Sequence, residues 1–121
     1  MLDELLILKK IKGGDIKAFE ELFRRYYFPL CCYAAGITGQ MAVAEEIVEE
    51  LFYVLWKERE RLQIFQSVKS YLYRATRNQS LQYCEHEEVR NRYREAVLNT
   101  SNLEQSTDTH QQMEYLSLIH I

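Results

Sequence analysis

The sequence predicts an all-α protein, a compact bundle of about four helices, and three observations support this prediction. Residues that favour turns are rare, with four glycines and one proline among 121 residues. Long stretches are rich in Ala, Leu, Glu, Lys and Arg, which are strong helix formers. Apolar residues make up 47% of the chain, enough for a hydrophobic core in one domain.

The first helix is predicted over residues 2–12, where apolar side chains stand among charged ones: Leu5, Leu6, Leu8 and Ile11. Gly13 and Gly14 end this helix, because glycine favours the conformation found just after a helix C-terminus. Asp15 is a suitable N-cap for the helix that follows, since its carboxylate can accept a hydrogen bond from a free backbone amide.

The second helix follows Asp15, and its apolar residues recur at steps of three and four, which indicates one buried face. These residues are Ile16, Phe19, Leu22, Phe23, Tyr26, Leu30 and Tyr33. Pro29 lies inside the pattern and lacks an amide hydrogen, so we expect a bend or local break near Arg25 and Tyr26. A turn over residues 36–39 then separates this helix from the next.

The third helix is predicted over residues 41–60, with a core face of Val43, Ile47, Val48, Leu51, Val54 and Leu55. Its other side carries Glu45, Glu46, Glu49 and Glu50, which form like-charge pairs four residues apart. Each such pair costs about a few tenths of a kcal/mol. A solvated surface and a contact with a basic partner both explain these glutamates, whereas a carboxylate metal site would need a nearby histidine that is absent.

A connector over residues 60–66, with Ile64 and Phe65 as apolar anchors, leads to the fourth helix. Ser67 is its predicted N-cap, and the helix continues to about Leu98 as the longest element. Residues 57–79 hold six basic side chains against two acidic ones, with Phe65, Tyr71 and Tyr73 interleaved. Aromatic and basic side chains together are typical of proteins that hold unstacked nucleotides. Alternatively, Leu72, Tyr73 and Ala75 are core residues and the charges are ordinary surface.

Beyond the fourth helix, residues 99–112 have the polar composition of a linker. Residues 113–121 become apolar again but are too few to form a core. We therefore predict a domain over residues 1–98, followed by a linker and a short helical stub that begins a second domain.

No residue pattern supports catalysis. His86, His110 and His120 are scattered, and the chain lacks a Ser-His-Asp order, a glycine-rich phosphate loop and a zinc-binding helix motif. We expect a protein that is not an enzyme and that holds no metal and no cofactor.

The cysteines and the hydropathy pattern predict a cytoplasmic protein without membrane insertion. Cys31, Cys32 and Cys84 form no C-x-x-C pair and make a poor disulfide framework, which favours a reducing compartment. Cys31 and Cys32 lie in an apolar helix, where core packing is expected. No apolar run approaches about 20 residues, and the N-terminus lacks the basic region of a signal peptide.

Three segments together resemble region 2 of bacterial sigma factors of the extracytoplasmic-function (ECF) group. Residues 14–27 are similar to the start of that region, residues 44–56 to its second subregion and residues 71–78 to its promoter-reading helix. The segments occur in the family's order and spacing, and the resemblance covers roughly residues 5–93.

The resemblance implies a helical domain that docks on the β′ clamp helices of core RNA polymerase and melts the promoter −10 element. The implied polymerase-binding residues are Glu46, Glu49, Glu50 and Tyr53. The loop before the last helix would form a pocket for a flipped base of the non-template strand, here with Gln63, Phe65, Gln66 and Ser67. The strand path would be lined by Lys69, Tyr71, Arg74, Arg77 and Asn78. An anti-sigma factor is a further candidate partner.

The chain departs from the family pattern in three ways. Tyr71 stands where the family often has tryptophan, and residues 84–88 are acidic where the family is commonly basic. We also expect the family's second domain, which reads the −35 element, to be missing. These departures leave an alternative, a helical protein–protein interaction module or decoy that binds polymerase or an anti-sigma factor without reading DNA.

Overall fold

The computed structural model describes residues 3–63 and 67–99, and within these residues it is helical and has no strand, as predicted. The helices are α1 (Asp3–Lys12), α2 (Ile16–Thr38), α3 (Met41–Lys57), a short 3-10 helix (Arg59–Arg61) and α4 (Val68–Asn99). The described residues divide into two compact units, with the division between Ser80 and Leu81. The predicted linker and helical stub lie outside the described residues, and the predicted domain boundary stays a prediction.

The junction between α1 and α2 follows the local sequence signals. Gly14 adopts a positive φ of 92°, which glycine tolerates because it has no Cβ. The Asp15 carboxylate accepts hydrogen bonds from the backbone amides of Lys17, at 3.0 Å, and Ala18, at 3.3 Å. The predicted N-cap is therefore confirmed, and it satisfies two amides that have no partner inside the helix.

The second helix continues through its proline. α2 runs unbroken through Pro29, so the predicted local break is wrong, whereas the alternative of a bend stays a prediction. Residues buried before and after the proline, Tyr26 and Leu30, hold the helix against its neighbours at this point. The helix also includes Gly36 and ends at Gly39, where φ is 79°, so the predicted turn begins later than residue 36.

The core of the first unit is centred on the contact between α2 and α3. Phe52 of α3 is buried, and its ring centroid lies 6.1 Å from that of Phe19 and 5.0 Å from that of Phe23. The Trp56 ring lies 5.1 Å from Phe19. Edge-to-face and tilted arrangements at these distances are favourable for aromatic pairs. The aromatic cluster thus joins the two helices along several turns.

The start of α4 packs into the same core. Val68 and Leu72 are buried in it, and the Tyr73 ring meets the Tyr33 ring of α2 edge-on at 5.1 Å. Ser67 caps this helix, because its hydroxyl oxygen accepts a hydrogen bond from the Ser70 amide at 3.1 Å. The predicted cap and the prediction that α4 is the longest helix are both confirmed.

Several predicted core positions are exposed instead. In α1 the buried residues are Ile7, Leu8 and Ile11, whereas Leu5 and Leu6 face solvent. The helical period of α1 allows more than one side of the helix to be the buried one. The contact with α2 determines that the side with Ile7, Leu8 and Ile11 is buried. Ile16 and Val54 are also exposed, since they lie at a helix end and at the border of the buried face.

The adjacent cysteines Cys31 and Cys32 also differ in burial. Cys31 is buried, as predicted, but Cys32 is exposed. Successive residues of a helix are about 100° apart around its axis, so Cys31 can lie in the core while Cys32 points away from it. Core packing therefore applies to Cys31 alone.

Hydrogen bonds within a cluster of polar side chains connect α1 to α2. The buried Tyr26 hydroxyl donates a hydrogen bond of 2.5 Å to Glu4 Oε2, and Arg25 donates to Glu4 at 3.1 Å and to Glu21 at 2.9 Å. Burial, together with the hydrogen bond to Glu4, raises the pKa of Tyr26 to about 12. The phenol is thus held as a neutral donor.

This raised pKa predicts a loss of stability in alkali. Tyrosine in an unfolded chain titrates at about pH 10, so between about pH 10 and 12 the unfolded state releases its proton while folded Tyr26 keeps it. The free energy of unfolding should be independent of this group below about pH 10 and fall above it. In Tyr26→Phe the fall, measured by urea denaturation across this range, should be shallower. An equally steep fall in the variant would contradict the assignment.

Candidate functional site

The predicted polymerase-binding residues lie on one exposed side of α3. Glu46, Glu49, Glu50 and Tyr53, here called the acidic face, are spaced by three, four and seven residues and are all exposed. The opposite side is buried and consists of Ala44, Val48, Phe52 and Leu55. Burial of one side of the helix therefore fixes which side remains available to a partner.

The members of the acidic face differ in their surroundings. Glu46 and Glu50 form no ion pair with any residue that the structure describes. Glu49 lies at the border toward α2, where its Oε2 atom accepts a hydrogen bond of 3.0 Å from the Tyr27 hydroxyl. Tyr53 is 59% exposed, and the Lys57 ammonium lies 5.9 Å from the centre of its ring. The face thus presents free carboxylates beside an exposed aromatic ring.

A side-chain clamp ends α3 and starts the connector. The Arg59 guanidinium lies 4.3 Å from the Trp56 ring centre and donates a hydrogen bond of 2.9 Å to the Trp56 carbonyl oxygen. Arg59 therefore makes a cation–π contact with the Trp56 ring and also caps the end of the helix through the Trp56 carbonyl. The connector then anchors Leu62 in the core and exposes Gln63.

The predicted base pocket is only partly described. Gln63 and Ser67 are exposed at the two ends of the connector, and Ser67 caps α4. Phe65 and Gln66 lie outside the described residues, as does the predicted anchor Ile64. The pocket itself therefore stays a prediction.

The predicted strand path on α4 separates into two sides. Tyr71, Arg74 and Asn78, spaced by three and seven residues, lie along one stripe, and Arg77 lies beside it; this set is called the basic face. The two arginines and Asn78 are exposed, and Tyr71 is half-buried. Lys69 is also exposed, but it precedes Tyr71 by two residues and so points to a different side of the helix.

The cations of the basic face are available to an external partner. Arg74 and Arg77 form no ion pair with residues in the described part of the chain. Of the interleaved aromatic residues, Tyr73 packs on Tyr33, and Leu72 is fully buried, so core packing accounts for both. Tyr71 is thus the tyrosine that shares a stripe with the exposed arginine Arg74.

The acidic run that follows is largely neutralised within its own helix. Glu87 pairs with Arg90 at 2.6 Å and accepts a hydrogen bond of 2.9 Å from the Tyr83 hydroxyl, and Glu88 pairs with Arg92. Burial, with the hydrogen bond to Glu87, raises the pKa of Tyr83. Glu85 is exposed and has no such ion pair among the described residues.

Sequence reasoning missed two residues that shape these surfaces. Tyr27 orients Glu49 across the α2–α3 contact, and Arg59 clamps the end of α3. The contact of Tyr27 joins residues 22 positions apart, so no local pattern reveals it. Arg59 follows Trp56 by three residues, a spacing that permits a contact but does not distinguish it from a solvated arginine.

The described residues contain no group of three or more His, Cys, Asp and Glu side chains that could hold a metal ion. Among the helices in the described ranges, none is both long and apolar enough to cross a membrane.

Comparison with known proteins gives one match. The family model described as Sigma-70 region 2 matches residues 22–89, which include most of α2, all of α3 and the first two-thirds of α4. No curated protein and no solved structure matches the chain.

The Ser67 cap predicts that removal of its hydroxyl lowers the stability of the protein. Ser67→Ala removes the acceptor for the Ser70 amide and should lower the free energy of unfolding by about 1 kcal/mol. Hydrogen exchange should accelerate at the Ser70 amide in particular. Ser67→Asp keeps an acceptor and should preserve both quantities, so equal loss in the two variants would refute the capping role.

Proposed function

The chain belongs to the sigma-70 region 2 family, and we propose that it is an ECF-type sigma factor, or the region 2 part of one. Membership supports a sigma-factor-like role in RNA polymerase binding and promoter recognition, in a family that is not an enzyme family. The observation that carries the proposal is the presence of two exposed faces of opposite charge, both within the matched residues.

We infer that the acidic face docks on the β′ clamp helices of core RNA polymerase. Its free carboxylates, Glu46 and Glu50, would meet basic side chains, and the exposed Tyr53 ring would supply apolar contact area. Tyrosine is among the residues enriched at the centres of protein interfaces. This proposal implies a cytoplasmic location, because the chain would work where core RNA polymerase does.

The basic face would then follow the non-template strand of the −10 element. Arg74 and Arg77 would contact phosphates, Asn78 would hydrogen-bond to the strand, and Tyr71 would stack against a base. The net charge of −3 is compatible with this role, because polymerase would contribute much of the phosphate affinity.

Melting of the −10 element also requires a pocket for the extruded base. Extruding a base costs about a few kcal/mol of stacking and pairing, which a pocket for that base offsets. We assign this pocket to Gln63, Phe65, Gln66 and Ser67. Lys69 points to a different side of α4 from Tyr71, so its contact with DNA would be made from the flank of the strand path.

A decoy or protein–protein interaction module is the second candidate, with polymerase or an anti-sigma factor as its partner. Glu85 favours it, because an exposed carboxylate without an ion pair among the described residues disfavours contact with duplex phosphates. The two candidates share the acidic face and differ only in the basic face. Independent tests of the two faces therefore distinguish them.

The docking proposal predicts that charge reversal weakens polymerase binding. Glu46→Lys combined with Glu50→Lys should reduce affinity for a β′ clamp-helix fragment at least about tenfold at low salt, because like charges would meet. The matched control is Glu85→Lys with Glu95→Lys, which changes the net charge equally at exposed residues of α4. Equal effects of both pairs, measured by titration calorimetry, would refute a specific acidic docking face.

The DNA proposal predicts a change in salt dependence. With polymerase present, Arg74→Ala combined with Arg77→Ala should reduce the slope of log affinity for −10 single-stranded DNA against log salt by about 1.4, or 0.7 per phosphate contact. Lys17→Ala with Arg24→Ala is the matched control, since both residues are exposed on α2. An unchanged slope in the α4 variant would favour the decoy.

A further inference from the structure

The hydrogen bond between Tyr27 and Glu49 crosses from α2 to α3 at the border of the acidic face. The Tyr27 hydroxyl donates to Glu49 Oε2 at 3.0 Å. The tyrosine ring is half-buried and stacks on Phe23, with a centroid distance of 4.7 Å and an interplanar angle of 20°. The donor is therefore held by the same aromatic cluster that joins the two helices.

This arrangement restricts an otherwise flexible side chain. A glutamate on a helix surface samples several rotamers, and ordering it on binding costs entropy. Tyr27 engages one carboxylate oxygen and leaves the other, Oε1, without a hydrogen bond among the described residues. The free oxygen can accept a hydrogen bond from a cationic partner without breaking the existing one.

The surroundings of the phenol keep it a donor. Burial, followed by the hydrogen bond to Glu49, raises the pKa of Tyr27 far above its ordinary value. A tyrosine hydroxyl is protonated at neutral pH even at its ordinary pKa, and the raised pKa extends the protonated form into alkaline solution. Glu46 and Glu50 have no comparable donor in the described part of the chain, which distinguishes Glu49 from the rest of the acidic face.

We propose that Tyr27 is a positioning residue for polymerase docking, which orients the Glu49 carboxylate toward a basic side chain of the partner. This inference rests on the proposed function. It adds a residue of α2 to a surface that otherwise belongs to α3, and it makes Glu49 the preorganised member of that surface. Glu46 and Glu50 would become ordered only when the partner binds.

The test compares two hydroxyl deletions on adjacent residues of the full chain. Tyr27→Phe should weaken binding to core RNA polymerase about three- to tenfold, because the Glu49 side chain must then be ordered when the partner binds. Tyr26→Phe is the matched control, because it removes a hydroxyl that also bonds to a glutamate, but to Glu4 in α1. Binding of this control should equal that of the wild type under conditions where thermal melts show both variants folded.

A second comparison isolates the role of Glu49. In a Glu49→Ala background, Tyr27→Phe should cause no further loss of affinity, because its hydroxyl then has no carboxylate to orient. The same loss in both backgrounds, or equal effects of Tyr27→Phe and Tyr26→Phe, would overturn this inference alone. Failure of the wild-type chain to bind polymerase would instead overturn the proposed function and, with it, the role of Tyr27.

Discussion

The packing of α2 against α3 is the interaction on which the rest of the structure depends. Phe52 is fully buried between Phe19 and Phe23, and this contact fixes the rotation of α3 about its own axis. A helix that buries one side must expose the other, so Glu46 and Glu50 face outward as a consequence. The same contact brings the Tyr27 hydroxyl within hydrogen-bond distance of the Glu49 carboxylate.

Core packing also determines which side chains α4 exposes, and in its first part these are basic. Val68 and Leu72 anchor its first turns in the core, which leaves Arg74 and Arg77 exposed. The acidic face and the basic face thereby lie on separate helices, and neither face neutralises the other. Such separation suits a protein that contacts a basic protein surface and a nucleic acid at the same time, and it explains how an acidic chain can approach DNA.

Features set by local sequence could be predicted, and features set by contacts between helices could not. The helix caps at Asp15 and Ser67 require only neighbouring residues, and both were predicted from the sequence. The exposure of Leu5 depends on which side of α1 meets α2, and the unbroken path of α2 through Pro29 depends on tertiary support for the helix. In the candidate site, spacing predicted that Glu46, Glu49 and Glu50 lie on the solvent side of α3, and all three are exposed, whereas their contact with polymerase stays a prediction. The hydrogen bond from Tyr27 joins distant positions and has no signature in sequence.

Photo-crosslinking would measure directly whether the outward side of α3 contacts polymerase. A photoreactive amino acid would replace Glu50 in the full chain, and in a second protein it would replace the exposed Glu85. After irradiation with core RNA polymerase, we expect a crosslink from position 50 to the β′ clamp helices and none there from position 85. Crosslinks to the clamp helices from position 85 alone, or from neither position, would contradict it.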